Sequence, residues 1–204
     1  MSSGRLLRGI DVSNYQPPDL AGLIRQYHAE HVVVRLSTES QRHREIAWAQ
    51  LLSALGNGCS VSGYVWCYWD LDPRQHVQDA LGVLSEAGLG PNEVRMVWLD
   101  VEDTESLALS RCSVDEWLRQ AVSVVEAAGY RVGIYTGQWF WQPRVRGDFS
   151  RLPLWAAQYD GIPTLESVRL FGGWTREMVW GKQYSGDEID LDVFSELVIQ
   201  GGGL

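Results

Sequence analysis

Histidine, cysteine and long apolar runs are scarce in this 204-residue chain, and each scarcity removes a class of function. The four histidines, His28, His31, His43 and His76, form no H-E-x-x-H pair and none closes an expected strand, which argues against a metal-dependent hydrolase. Each is expected at the surface or packed against a helix. The three cysteines, Cys59, Cys67 and Cys112, make no C-x-x-C and are odd in number, so neither a disulfide framework nor a zinc site is expected, only reduced thiols. No apolar run reaches the length of a bilayer span, and the opening MSSGRLLRGIDVS lacks the apolar core of a secretion signal. The expectation is a protein without a membrane segment or a signal peptide. Basic residues are outnumbered 17 to 26, and the net charge of −9 disfavours nucleic acid and anionic membrane surfaces.

What the chain does have is length and aromatic rings. At 204 residues it is most economically one unit, with a core over 9–196 and residues 197–204 as a tail or the start of a linker. Such a chain buries roughly 70% of the surface its unfolded form exposes, so it needs no covalent staple. Ten tryptophans and eight tyrosines exceed ordinary usage. Most are expected in the core, and the excess suits a groove that stacks on sugar rings.

Apolar runs alternate with helix-period segments over the first two thirds, the pattern of repeated βα units. Strands are expected at Gly9–Val12, His31–Leu36, Val61–Tyr68, Val94–Asp100 and Arg131–Tyr135, with helices at Asp19–Tyr27, Glu45–Leu55, Pro73–Ala87 and Val114–Ala128. Asp72 before Pro73, and Ser113 three residues before Glu116, carry helix-start chemistry; Gly129 carries a helix stop. Three shorter strands, Leu154–Gln158, Val179–Tyr184 and Ile189–Phe194, follow a short irregular helix around Trp139–Trp141, with a loop over Gly161–Trp174. Five βα units and three more strands imply a closed or nearly closed irregular (β/α) barrel of the TIM-barrel type, whose chemistry sits at the carboxyl ends of the strands.

The residues VWLDVED, 97–103, are the most informative segment. Strand alternation puts Trp98, Asp100 and Glu102 on one face and Val97, Leu99 and Val101 on the other. Alpha carbons two apart on a strand lie about 6.5–7 Å from each other, so both carboxylates can serve one bond. Like charges that close resist joint ionisation and raise one pKa, the condition for a carboxylic acid that protonates a leaving glycosidic oxygen beside a carboxylate that stabilises the sugar cation. The bland alternative is a pair of solvated loop acids, and D-x-E alone is a weak motif. Asp11, Glu39, Tyr135 and Asp190 are expected at the same mouth.

Further motifs give these residues a context. The segments GIDVSNYQ (9–16), LDVED (99–103), GIYTG (133–137), LWAAQY (154–159) and KQYS followed by IDLDVF (182–194) resemble, in order, those of glycoside hydrolase family 25, the lysozymes that cut the β-1,4 bond after N-acetylmuramic acid in peptidoglycan. The resemblance implies an irregular barrel of eight strands and five helices. It implies Glu102 as general acid and base and Asp100 as the residue that orients the substrate's 2-acetamido group. It also implies Asp11 and Asp190 as the remaining acidic floor, Tyr135, Trp155 and Gln183 as sugar-site walls, and Arg35 as a basic residue that meets substrate. The third strand departs from the family pattern: GYVWCY (63–68) stands in place of G-x-Y-H-F or G-x-Y-W-F, leaving Trp66 for stacking and Tyr64 as a lesser candidate. STES (37–40) keeps Glu39 but not a following glycine, and Asp192 stands where asparagine is common.

The implied activity is retaining hydrolysis of peptidoglycan glycan strands by a monomer, with no metal or other cofactor. Wall targeting, where needed, would come from a separate module. The implied settings are a phage endolysin, a virion-attached lysin or a module of an exported protein. The rival reading is a catalytically silent glycan-binding domain on the same barrel, since a fold does not fix its function.

Overall fold

A computed structural model describes residues 5–37, 39–186 and 188–200; the expected tail therefore lies largely outside the described residues. Eight strands close a barrel in chain order: β1 (Leu6–Val12), β2 (His31–Arg35), β3 (Ser60–Trp66), β4 (Val94–Asp100), β5 (Arg131–Thr136), β6 (Leu154–Ala157), β7 (Val179–Gly186) and β8 (Asp190–Ser195). Five α-helices fill the first five crossovers: α1 (Ala21–Tyr27), α2 (Gln41–Gly56), α3 (Pro73–Glu86), α4 (Val114–Ala127) and α5 (Gln138–Arg144). Neighbours from β1 to β7 are parallel, and β8 runs antiparallel to both β7 and β1. Only three residues separate Gly186 from Asp190, too few for a parallel crossover, which takes a dozen or more. Reversal of β8 brings its first residue, Asp190, to the mouth where the other strands end.

Helix boundaries follow the local chemistry. The Asp72 carboxylate accepts from Arg74 N and Gln75 N ahead of Pro73, and Ser113 Oγ accepts from Glu116 N. Helix α2 begins at Gln41 rather than Glu45, because Ser40 caps it by accepting from His43 N; this first turn is polar and carries no apolar period. Gly129, at φ 85°, takes the left-handed position after α4.

Alternation along the strands divides the buried apolar residues into two groups. Val97, Leu99 and Val101 pack outward under the helices with Ile10, Val34 and Ile134. Met96, Trp98, Tyr135, Trp155 and Phe194 fill the barrel interior. Phe194 fits there because Gly9 and Gly181 flank it: a Cβ on either would come within 2.6 Å of its ring. At the closed end His31 is fully buried, its ring nitrogens 2.8 Å from Ser60 Oγ and 2.9 Å from Ser62 Oγ, and its ring edge-on to Phe194. His31 is therefore not the surface or helix-packing residue expected from sequence; a small hydroxyl-lined niche accommodates it. His76 does pack from a helix, between Tyr68 and Trp117, with Nε2 2.8 Å from the Trp66 carbonyl. No helix among the described residues is long and apolar enough to cross a membrane.

Candidate active site

The carboxyl ends of the parallel strands, joined by the first residue of β8, surround a hollow of about 100 Å³. Asp11 stands at the end of β1, Asp100 at the end of β4 and Asp190 opposite Asp11 in the β1–β8 register. Glu102 lies two residues past β4, not on it as alternation had suggested, because the strand ends at Asp100. The chain after it is pinned: the Asp103 carboxylate accepts from Glu105 N, Ser106 N and Ser106 Oγ, while Trp69 Nε1 donates to Asp103 O at 2.7 Å. Asp103 thus caps a 3-10 turn, Ser106–Leu109, and holds the Glu102 backbone in place. All of Tyr64, Trp66, Tyr135, Trp155, Gln183 and the four acids line the hollow.

Burial dominates the electrostatics. It raises the Glu102 carboxyl to about 7, with the charge of Asp190 adding to the effect. Burial raises Asp11 to about 8, with Asp190 contributing and the Gln183 hydrogen bond opposing. Asp100, buried and beside Glu102 and Asp11, is held well above the usual carboxylate range, with Arg35 pulling the other way. Asp190 is also raised, by burial. Asp100 lines the hollow, and its Oδ1 is buried and has no hydrogen-bond partner among the described residues.

Gln183 organises the opposite wall. Its Oε1 accepts from Tyr135 OH at 2.6 Å and from Tyr159 OH at 2.5 Å, and this orients its Nε2 to donate to Asp11 Oδ2 at 2.7 Å. Trp155 Nε1 donates to Asp192 Oδ1 at 2.9 Å, so Trp155 is fixed from below while its ring lies 4.4 Å from that of Tyr135.

The hollow opens into a groove of about 640 Å³ that shares Trp66, Glu102 and Tyr159 as walls. Small-molecule sites typically enclose about 300–1,000 Å³. The groove falls in that range and the hollow alone does not, which suits a chain-like ligand that lies in the groove and sends one substituent inward. Arg35 lines this groove rather than the hollow. Its guanidinium donates to Ser37 O at 3.0 Å and Tyr68 OH at 2.9 Å, lies 3.8 Å from Glu39 and sits 5.6 Å from the Trp66 ring centroid. The arrangement braces Trp66 from one side. Glu39, expected at the mouth, is on the same groove and accepts from Tyr68 OH at 2.7 Å.

Among the groove residues that the sequence reading gave no role are three aromatic ones, Tyr68, Trp139 and Tyr159. Tyr159 stands within LWAAQY, Tyr68 lies two residues past β3 rather than on the expected strand Val61–Tyr68, and Trp139 is in the first turn of α5. The segment carrying Tyr159 is anchored by Lys182, the chain's only lysine, whose fully buried Nζ donates to Asp160 Oδ1, Ile162 O and Ser167 Oγ at 2.5–2.7 Å. The K-Q spacing was the available signal: adjacent β7 residues face opposite ways, Gln183 inward to Asp11 and Lys182 outward to the loop.

Comparison with known proteins agrees with this arrangement. Residues 10–193 match the glycosyl hydrolases family 25. The chain is 30% identical over 178 residues to Lysozyme-like protein 5 of Caenorhabditis elegans, covering 84% of this chain and 81% of that one. It is 35% identical over 100 residues to Probable GH family 25 lysozyme 2 of Dictyostelium discoideum, covering 47% of this chain and 46% of that protein. The matched region spans 42–46% of the length of the Dictyostelium relatives headed by Counting factor 50. In fold the chain is similar to a family GH25 lysozyme from Aspergillus fumigatus, with a TM-score of 0.73 and 18% identity over 97% of this chain and 100% of that one. With a family match across nearly its whole length and the carboxylate-lined mouth described above, the chain belongs to glycoside hydrolase family 25.

Proposed function

We propose that the chain is a muramidase that hydrolyses the β-1,4 bond between N-acetylmuramic acid and N-acetylglucosamine in peptidoglycan, with net retention by acetamido assistance. One observation carries the reading: a carboxyl, Glu102, raised to about 7 where the hollow meets the groove, next to a buried Asp100 with an unfilled acceptor.

In this mechanism a glycan strand lies in the groove against Trp66, and the muramyl acetamido group enters the hollow. Asp100 Oδ1 accepts the acetamido N–H, which aims the amide oxygen at the anomeric carbon. Glu102, protonated below about pH 7, donates to the departing glycosidic oxygen as the acetamido oxygen attacks the anomeric carbon, so the old bond breaks without a free alkoxide. The anionic form of Glu102 then takes a proton from water, which opens the cyclic intermediate from the opposite face. Two inversions give retention. A glycan strand is a neutral sugar backbone bearing carboxylate peptides, and the braced Arg35 offers the groove a cation at its rim. A separate wall-binding module is the expected partner for so acidic a catalytic unit.

Purified cell walls in a turbidity assay test the activity, and NMR of the first product tests the stereochemistry. Clearing with a β-configured first product is the predicted outcome. Binding to walls without clearing would make the chain a glycan-binding barrel, and an α-configured first product would replace acetamido assistance with direct displacement by water.

A further inference from the structure

Asp192 takes no part in the mechanism above, yet it is the most deeply buried acid of the barrel, 1% exposed. It lies on β8 opposite Gly9, one step inward from the Asp190–Asp11 pairing. The space is made by Gly9, where a Cβ would come within 3.0 Å of the Asp192 Cβ. Its two oxygens are treated differently. Oδ1 accepts from Trp155 Nε1 at 2.9 Å, whereas Oδ2 is buried and receives no N–H or O–H donor among the described residues. The β1–β8 register sets the Asp192 carboxyl beside that of Asp11, the acid whose charge acts on it most strongly.

Two adjacent buried carboxyls cannot both be ionised without a cation between them, so at least one of the pair carries a proton. The surroundings decide which. Asp11 Oδ2 already accepts from Gln183 Nε2, and Gln183 cannot flip its amide without losing both tyrosine hydroxyls from Oε1. Asp11 is thus arranged to be an acceptor. Asp192, with one oxygen satisfied and the other facing only a carboxylate, is arranged to be a donor. The titratable groups felt around it are Asp11 on β1, Asp190 on its own strand and Tyr184 on β7, and no lysine or arginine among the described residues hydrogen-bonds it.

We propose that Asp192 is a permanently neutral carboxylic acid whose Oδ2–H donates to Asp11, making it the positioning residue that holds Asp11 at the sugar site and ties it to Trp155. Burial and the neighbouring Asp11 raise it well above the usual carboxylate range, in line with this assignment. The role rests on the muramidase reading only for its catalytic consequence; the protonation state stands by itself. Asparagine at this place would supply the same donor and the same acceptor without a titratable proton. Leucine would supply neither.

The test compares wild type, Asp192→Asn and Asp192→Leu in the whole chain. With 13C-labelled aspartate, the carboxyl signal missing from the Asn variant is that of Asp192, and at pH 6 it should have the shift of a neutral acid. A raised folded-state pKa means stability present at pH 4 and lost as pH rises, so the melting temperature of the Asn variant should gain on wild type steadily between pH 4 and pH 8. On walls the Asn variant should keep kcat within about twofold, while the Leu variant loses about tenfold or more, the scale of a buried polar partner left unpaired. A carboxylate shift for Asp192 at pH 6, or a melting difference that is flat with pH, overturns the proposal. Absence of wall clearing by wild type would count against the proposed function alone, since the NMR and melting results are read without substrate.

Discussion

The two ends of the barrel bury polar groups in opposite ways. At the closed end His31 has a hydroxyl on each ring nitrogen and is lowered to about 3 by burial, so it is neutral and satisfied. At the mouth Asp11, Asp100, Glu102 and Asp190 crowd together, all raised, with Arg35 the one cation that opposes this at Asp100. Asp100 Oδ1 goes without a partner there, where nothing at His31 does. Elsewhere on the wall the buried Lys182 is matched by three acceptors. The fold can satisfy buried polar groups, and at the mouth it leaves them short. Such local deficits mark sites where a ligand supplies the missing partner.

The largest expected effect comes from neutralising the mouth. Glu102→Gln should lower turnover on cell walls by about 10²–10⁴-fold, the range of a lost general acid. Because it removes a buried like charge, it should also raise the melting temperature at pH 8 by a few degrees and barely change it at pH 4. Asp100→Asn follows, with turnover down about a hundredfold or more for loss of the carboxyl that orients the acetamido group. Unchanged wall clearing in either variant removes that residue from its proposed role.

The pH dependence of stability sets the two ends against each other. The raised mouth carboxyls contribute stability that is fully present below about pH 4 and lost as pH rises through about 7 for Glu102 and about 8 for Asp11. His31 has the opposite sign: its stability is present above 6.5 and lost as pH falls toward 3. Calorimetry across pH should find the highest melting temperature in mildly acidic buffer, and His31→Gln should flatten the acid limb alone. The next effect is Lys182→Met, which leaves Ile162 O and Ser167 Oγ without their donor and should cost on the order of 2 kcal/mol in denaturant unfolding. The smallest is Arg35→Lys, which loses the planar fork that spans Ser37, Tyr68 and Glu39 and should raise KM about threefold with kcat held.

Most of the barrel could be read from sequence because strand and helix periods alternate cleanly through α4, and because Asp72, Ser113 and Gly129 mark ends with known chemistry. The antiparallel turn of β8 was encoded too, in the three residues between Gly186 and Asp190. Placing Asp100 and Glu102 together was legible from the D-x-E spacing, though the reason was not simple alternation: Glu102 sits beyond the strand, pinned by Asp103, Ser106 and Trp69. The convergence of Tyr159, Tyr68 and Trp139 was hidden because it depends on contacts distant in sequence, such as Lys182 with Asp160 and Ser167 for the segment that carries Tyr159. His31 was misplaced because its satisfaction depends on two serines of the neighbouring strand.

The central claim is that a mouth crowded with buried carboxyls keeps Glu102 protonated at working pH. Titration of 13C-labelled glutamate, assigned by the signal missing from Glu102→Gln, measures this directly. A midpoint near 7 that coincides with the alkaline fall of kcat/KM is the predicted result; a midpoint in the ordinary glutamate range near 4.5 would contradict it.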